Sequence, residues 1–321
     1  MTTYKEIRGT NIEVVSSDPS NPVLGQVWYN STDNVVKGFY SNPGSWATGG
    51  DLNQGRNSLG GAGTQTAALA FGGFVPPSSA KTEAYNGTNW TEVNDLNTAR
   101  QLFGAAGATN TAALAFGGSP STKTVTETWN GTNWTEVNDL NTAIKSLAGA
   151  GTNTAALAFG GENPGAGGFT VDTELWNGSN WTEVNNLNTA RSQLAGAGAN
   201  NTAALGFGGE ASPGITAVTE SWNGTNWTEV NDLNTARKKL GGAGTQTSAL
   251  AFGGETPPNS ALTESWNGTN WTEVADLGTA RQKLGGAGAA NTSALAFGGD
   301  PGSTATEAWN AGPITVTFTD S

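Results

Sequence analysis

Residues 90–134 read WTEVNDLNTARQLFGAAGATNTAALAFGGSPSTKTVTETWNGTNW, and this stretch runs from one tryptophan to its equivalent in the next copy of a repeat. The phrase Asn-Trp-Thr-Glu-Val places tryptophans at Trp90, Trp134, Trp181, Trp227 and Trp271, and a weaker form, Gly-Ser-Trp, places Trp46. The successive spacings are 44, 44, 47, 46 and 44 residues. A second phrase, Phe-Gly-Gly, ends at Gly73, Gly118, Gly161, Gly209, Gly254 and Gly299. A fixed period of about 45 residues marks a repeat architecture, and it constrains the fold before any strand is assigned.

Four short strands fit into each unit. The segment after Arg56, Arg100, Arg191, Arg237 and Arg281 is almost wholly Gly and Ala. Those residues are poor strand formers, so their use predicts backbones that converge where side chains have no room, as on the axis-facing strand of a propeller blade. The next segment, TAALAFGG, is a continuous apolar run suited to a strand buried on both faces. The third, such as TETWNG, and the fourth, NWTEVNDL, alternate polar and aromatic residues. Between them Asn-Gly-Thr-Asn favours the positive φ of a tight hairpin. This hairpin also accounts for the glycosylation-like triplets at Asn86, Asn89, Asn130 and Asn133. Four strands repeated six times predict an all-β β-propeller of four-stranded antiparallel blades.

The ordered set of features resembles kelch repeats over roughly residues 46–319. A double glycine closes an apolar strand, an aromatic follows (Tyr85, Trp129, Trp176, Trp222, Trp266, Trp309), then comes a Trp on the fourth strand and an Arg opening the next unit. Only four residues separate Trp129 from Trp134, a shorter hairpin than kelch units use, so kelch-type partners do not carry over. Residues 51–321 hold the six repeats, and residues 1–50 form a separate N-terminal segment. That segment offers strands at 12–16, 24–29, 35–40 and 45–48, and Trp46 precedes Arg56 by the same ten residues that separate Trp90 from Arg100. The tail NAGPITVT aligns with NGTNWTEV, so the sixth repeat can supply its own fourth strand up to Thr319. The reading adopted is therefore a divergent seventh blade. The alternative is six blades closed by the Trp46 strand beside residues 304–309, which leaves Trp28, Tyr29, Phe39 and Tyr40 to be buried elsewhere.

Composition narrows the function. The chain has 321 residues with 47 Gly, 12 Trp, no Cys and no His. Disulfides, zinc fingers, histidine-held metals, thiol nucleophiles and Ser-His-Asp triads are excluded, and no metal or cofactor is expected. A net charge of −12 argues against nucleic acid as a partner. No run of 18 apolar residues suggests membrane insertion, and the first twenty residues lack the apolar core of a signal peptide.

The loops after Phe-Gly-Gly vary in length and sequence, whereas the NDLNTAR connectors are nearly identical. In an up-and-down blade both lie on one face of the disc, so a rigid frame presents variable loops there. Candidate ligand residues on these loops are Phe74, Pro77, Lys123, Asn163, Phe169, Glu210, Ile215, Glu255, Asn259 and Asp300. The strand tryptophans read as blade packing rather than sugar platforms. Glu83, Glu127, Glu174, Glu220, Glu264 and Glu307 recur on the third strand, and Arg opens every unit except at Ile144. The expectation is a ring of Arg–Glu pairs fixing blade to blade, with no catalytic role.

The stretch VLGQVWYNSTDNVVKGFYSNPGSW resembles a short meander of tailed-bacteriophage structural proteins, and MTTYKEIRGTNIEVVSSDP resembles the start of marine-phage virion proteins with similar repeats. The resemblance implies a non-enzymatic virion component, such as a tail, fibre or surface protein, made in the host cytoplasm. Its partners would be other virion proteins and a host receptor or glycan, and it could oligomerise. An assembly module that binds only virion proteins is the alternative, and a polysaccharide hydrolase is a remote third.

Overall fold

A computed structural model describes residues 12–318 of the chain; the opening phrase 1–11 and the expected end at Thr319 lie outside the described residues. Two compact units emerge: residues 45–310, and residues 1–44 together with 311–321.

The larger unit is a six-bladed propeller. In blade 2, Gly104–Thr109, Ala112–Phe116, Thr126–Trp129 and Trp134–Val137 pair antiparallel in chain order. Each inner strand packs against those of both neighbouring blades, and the series closes from blade 6 back to blade 1. The Gly-Ala composition follows from this convergence: a Cβ on Gly149 would lie 2.3 Å from the Ala105 carbonyl oxygen, and one on Gly61 2.3 Å from that of Gly286. The second strands, Ala-Ala-Leu-Ala-Phe or close variants, bury their Leu and Phe fully. The apolar core sits between blades; Leu114 and Phe116 of blade 2, for instance, cluster with Trp176 and Trp181 of blade 3.

Each fourth-strand tryptophan locks its blade to the one before it. Trp134 stacks on Phe71 at 4.8 Å and donates its indole N–H to the Thr82 hydroxyl at 3.0 Å. The same bond joins Trp90 to Thr306, Trp181 to Thr126, Trp227 to Thr173 and Trp271 to Thr219. The hairpins form as expected: the Asn130 side chain accepts from the amides of Thr132 and Asn133, and Gly131 takes φ +92°.

The sixth tie is made by Trp46, and it corrects the seven-blade reading. Trp46 donates to Thr263 of blade 5 at 3.0 Å and packs on Phe252 and on Trp309. Its strand, Val35–Thr48, lies beside Thr306–Phe318, so the N-terminal side of the chain supplies the fourth strand of blade 6. The tail cannot fold back to do this. Where the other units have Gly at positive φ it has Ala311, and where they have an Asn amide donating to the turn it has Pro313, which carries no N–H. The chain therefore runs on as one strand, Thr306–Phe318.

In the smaller unit, Glu13–Val15 pairs parallel with Val27–Asn30, which pairs antiparallel with the start of Val35–Thr48. A propeller blade has no parallel pair, and the expected strands at 35–40 and 45–48 are one strand. Trp28 is nonetheless fully buried, and its indole donates to Asp18, which also accepts from Asn30 and Lys37. These donors, Lys37 foremost, hold the Asp18 carboxyl down at about 2. Tyr29 and Phe39 are half-buried and Tyr40 is exposed.

Candidate functional site

The repeated charges form pairs, but not between blades. Arg100 reaches from the incoming connector to the Val125 carbonyl and to Glu127, on the third strand of the blade that the connector opens. The other Glu127 oxygen accepts from the Asn97 amide at 2.7 Å and side chain at 2.9 Å. The pattern recurs at Arg56–Glu83, Arg191–Glu220, Arg237–Glu264 and Arg281–Glu307. Each pair fastens a connector into its own blade, and the blade-to-blade tie belongs to Trp and Thr. Burial pushes the Arg191 guanidinium down to about 10 against the pull of Glu220, so it stays charged at neutral pH. Among the described residues no cluster of His, Cys, Asp or Glu is arranged to hold a metal ion.

The first residue after each Phe-Gly-Gly bridges to the residue after the connector arginine or its replacement Ile144: Phe74 with Asn57, Ser119 with Gln101, Glu162 with Lys145, Glu210 with Ser192, Glu255 with Lys238, and Asp300 with Gln282. One step further in stands a ring: Ser58, Leu102, Ser146, Gln193, Lys239 and Lys283. All six are non-glycine residues in the left-handed region, with φ between +54° and +57°. Each donates its backbone N–H to the carbonyl of the preceding member at 2.7 to 3.1 Å, and Ser58 closes the circle onto Lys283. Left-handed geometry costs a side-chain-bearing residue roughly 1–2 kcal/mol, and its sixfold use means the ring over-determines these positions.

The ring surrounds one end of the axial channel. Above it opens a cavity of about 420 Å³, whose lining includes Phe74, Leu102, Lys145, Gln193, Lys239, Lys283 and Asp300. Beneath it a collar of Leu59, Phe103, Leu147, Leu194, Leu240 and Leu284 narrows the channel, and below that only Gly and Ala line it. The far mouth is lined by Gly and Ala with Thr245. Charged side chains thus meet the channel at one end.

Of the ten loop residues singled out in the sequence, Phe74 and Asp300 line this cavity. Glu210 pairs with Lys238 at 2.9 Å and stands opposite Ile215 in a two-residue hairpin. Glu255 pairs with Lys239, which holds its carboxyl below the usual range, and its backbone bridges to Asn259. Asn163 accepts from the Gly165 amide in the short turn Pro164–Ala166, and Phe169 stays 38% exposed. Lys123 bridges by its backbone to Ile144, and Pro77 is exposed on its loop. The ring residues and Glu162 escaped the sequence reading. Their signal was present: between the invariant arginine position and the following Leu or Phe, the dipeptides read NS, QL, KS, SQ, KK and QK inside an otherwise near-constant segment. No protein-family model matches the chain, and no curated protein matches it in sequence.

Proposed function

We propose that the protein is a non-enzymatic structural component of a tailed-phage virion, built on kelch-like repeats, whose propeller displays one face to a host-surface receptor or glycan. One observation carries the reading: the six variable dipeptides, which break an otherwise repetitive sequence, all line a single cavity on one face, and three of the six variable loops reach it through Phe74, Glu162 and Asp300. A stiff frame with diversified loops is the economy of a binding surface. A fold by itself specifies no function, so the weight rests on this site. The recurring carboxylates are engaged by connector amides and, at five of the six positions, by arginines, which supports a structural role for them.

The test replaces residues 162–170 with the five-residue loop found at 300–304. Purified protein is expected to bind host cells or a glycan array, and the short-loop variant to lose that binding while its circular dichroism is unchanged. Absence of binding by the unaltered protein at high concentration overturns the reading. A second reading, an assembly module that binds only other virion proteins, draws support from the smaller unit. Among the described residues, six of the seven exposed large hydrophobics lie there: Val14, Val23, Leu24, Tyr40, Ile314 and Val316. It predicts loss of particle incorporation when these are made polar, with adsorption by the purified protein never observed.

A further inference from the structure

The chain carries a net charge of −12, yet its positive side chains are not spread evenly. The five arginines among the described residues are buried in their blades. Of the seven described lysines, four (Lys145, Lys238, Lys239 and Lys283) sit in the dipeptides that open blades 3, 5 and 6. Lys239 and Lys283 are successive members of the ring, joined by a backbone hydrogen bond of 2.8 Å. Two ammonium groups launched from adjacent ring positions repel one another unless anions are supplied. Glu255 supplies one, to Lys239. Lys145 and Lys238 are likewise paired, with Glu162 and Glu210. Lys283 is half-buried on the cavity wall and makes no ion pair among the described residues.

The rest of the wall has a different chemistry. Phe74 and Leu102 give it apolar surface, Asn57, Ser58, Gln101 and Ser146 give it neutral hydrogen-bonding groups, and Asp300 and the Lys145-paired Glu162 give it carboxylates. Oε1 of Gln193, on the same wall, is a buried acceptor with no hydrogen-bond partner, so a ligand that brings a donor within its reach is rewarded. An anion for Lys283, hydroxyl donors and acceptors for the amide and hydroxyl side chains, and a C–H face for Phe74 are combined in an acidic sugar. A volume of about 420 Å³ holds one such residue with room for part of the next.

Resting on the glycan-binding reading above, we infer that the ring mouth binds a carboxylate-bearing sugar residue of a surface polysaccharide, with Lys283 as the anion-binding group, Lys239 beside it and Phe74 as the stacking wall. The expected order of preference is acidic over neutral sugar, with affinity falling as ionic strength rises.

The experiment uses the full chain and two probes, digalacturonic acid and the corresponding neutral galactose disaccharide, in calorimetric titrations at low and at physiological salt. Lys283→Gln is a safe variant for folding, because glutamine already occupies the equivalent ring position at Gln193 with φ +55°. The acidic disaccharide is expected to bind more tightly than the neutral one, and Lys283→Gln to weaken it about tenfold or more, the loss of one charge-assisted hydrogen bond. Lys81→Gln, at a partly exposed lysine paired with Glu92 and outside the cavity lining, is expected to change nothing. Phe74→Ala is expected to weaken both sugars. Equal binding of the two disaccharides, or an unchanged affinity in Lys283→Gln, overturns the inference. In that event loop-dependent adsorption to cells or arrays still stands as a separate result, and only its absence as well removes the receptor reading.

Discussion

Glu174 holds the position that five other units give to an arginine-paired glutamate, but its blade opens on Ile144, and the buried carboxylate accepts from the Asn141 and Thr142 amides and the Asn141 side chain. Burial pushes its pKa above the ordinary 4.5, against the pull of those donors. An acid whose pKa is higher folded than unfolded holds its proton more tightly in the native state. Its contribution to stability is therefore complete below the unfolded value and is lost as pH rises through the folded one. Glu174→Gln keeps one acceptor oxygen for the two Asn141 donors, gives up the one that accepts from the Thr142 amide, and removes the titration. Chemical denaturation from pH 4 to 8 is expected to show the variant within about 1 kcal/mol of the unaltered protein at low pH and gaining on it as pH rises. Glu220→Gln is a different case, because it leaves Arg191 buried without its counter-charge, at a cost of roughly 3–5 kcal/mol. Equal costs for the two substitutions would show that the arginine is not what distinguishes these sites.

At the scale of elements, the inner strands are where composition and geometry meet most tightly. Gly149 faces the Ala105 carbonyl and the Phe116 ring, so Gly149→Ala forces one of them to move. A loss of about 1–3 kcal/mol in urea denaturation is expected. Gly214, in a loop hairpin, has nothing within 4 Å of a built Cβ, and Gly214→Ala is expected to leave stability within about 0.5 kcal/mol; a comparable loss at both positions would sink the crowding argument. Elements of this kind were readable in the sequence because each rests on a local demand: small residues at a crowded axis, Asn-Gly at a hairpin, an apolar run between two blades. Blade closure was harder to read. The Trp46 phase and the tail alignment led to a seventh blade that does not form, and the features that decide against it are negative ones, the missing Gly at Ala311 and the missing amide at Pro313. The cavity was legible only at two of its lining residues. Loop variability pointed to Phe74 and Asp300, while the ring dipeptides were hidden inside a connector that reads as scaffold, because their left-handed geometry arises only when six neighbours close a circle of backbone bonds.

For the propeller as a whole, the closed circuit of Trp–Thr bonds makes position along the chain irrelevant to stability. An open array of repeats frays from its ends, because a terminal unit has one neighbour, whereas in a closed ring every unit has two. Trp46 at the closing strand and Trp134 within the chain make the same kind of contact: an indole N–H to a threonine on the preceding blade, and an inclined aromatic contact with that blade's Phe. Trp134→Ala is expected to cost roughly 3–5 kcal/mol, and Trp46→Ala, whose indole is half-buried, a smaller loss of about 2 kcal/mol or more. For both variants, unfolding followed by tryptophan fluorescence and by far-ultraviolet circular dichroism should remain a single coincident transition. An early fluorescence change preceding loss of the sheet signal, confined to Trp46→Ala, would mean that blade 6 frays like the end of a linear array and that the closing strand does not fasten the ring.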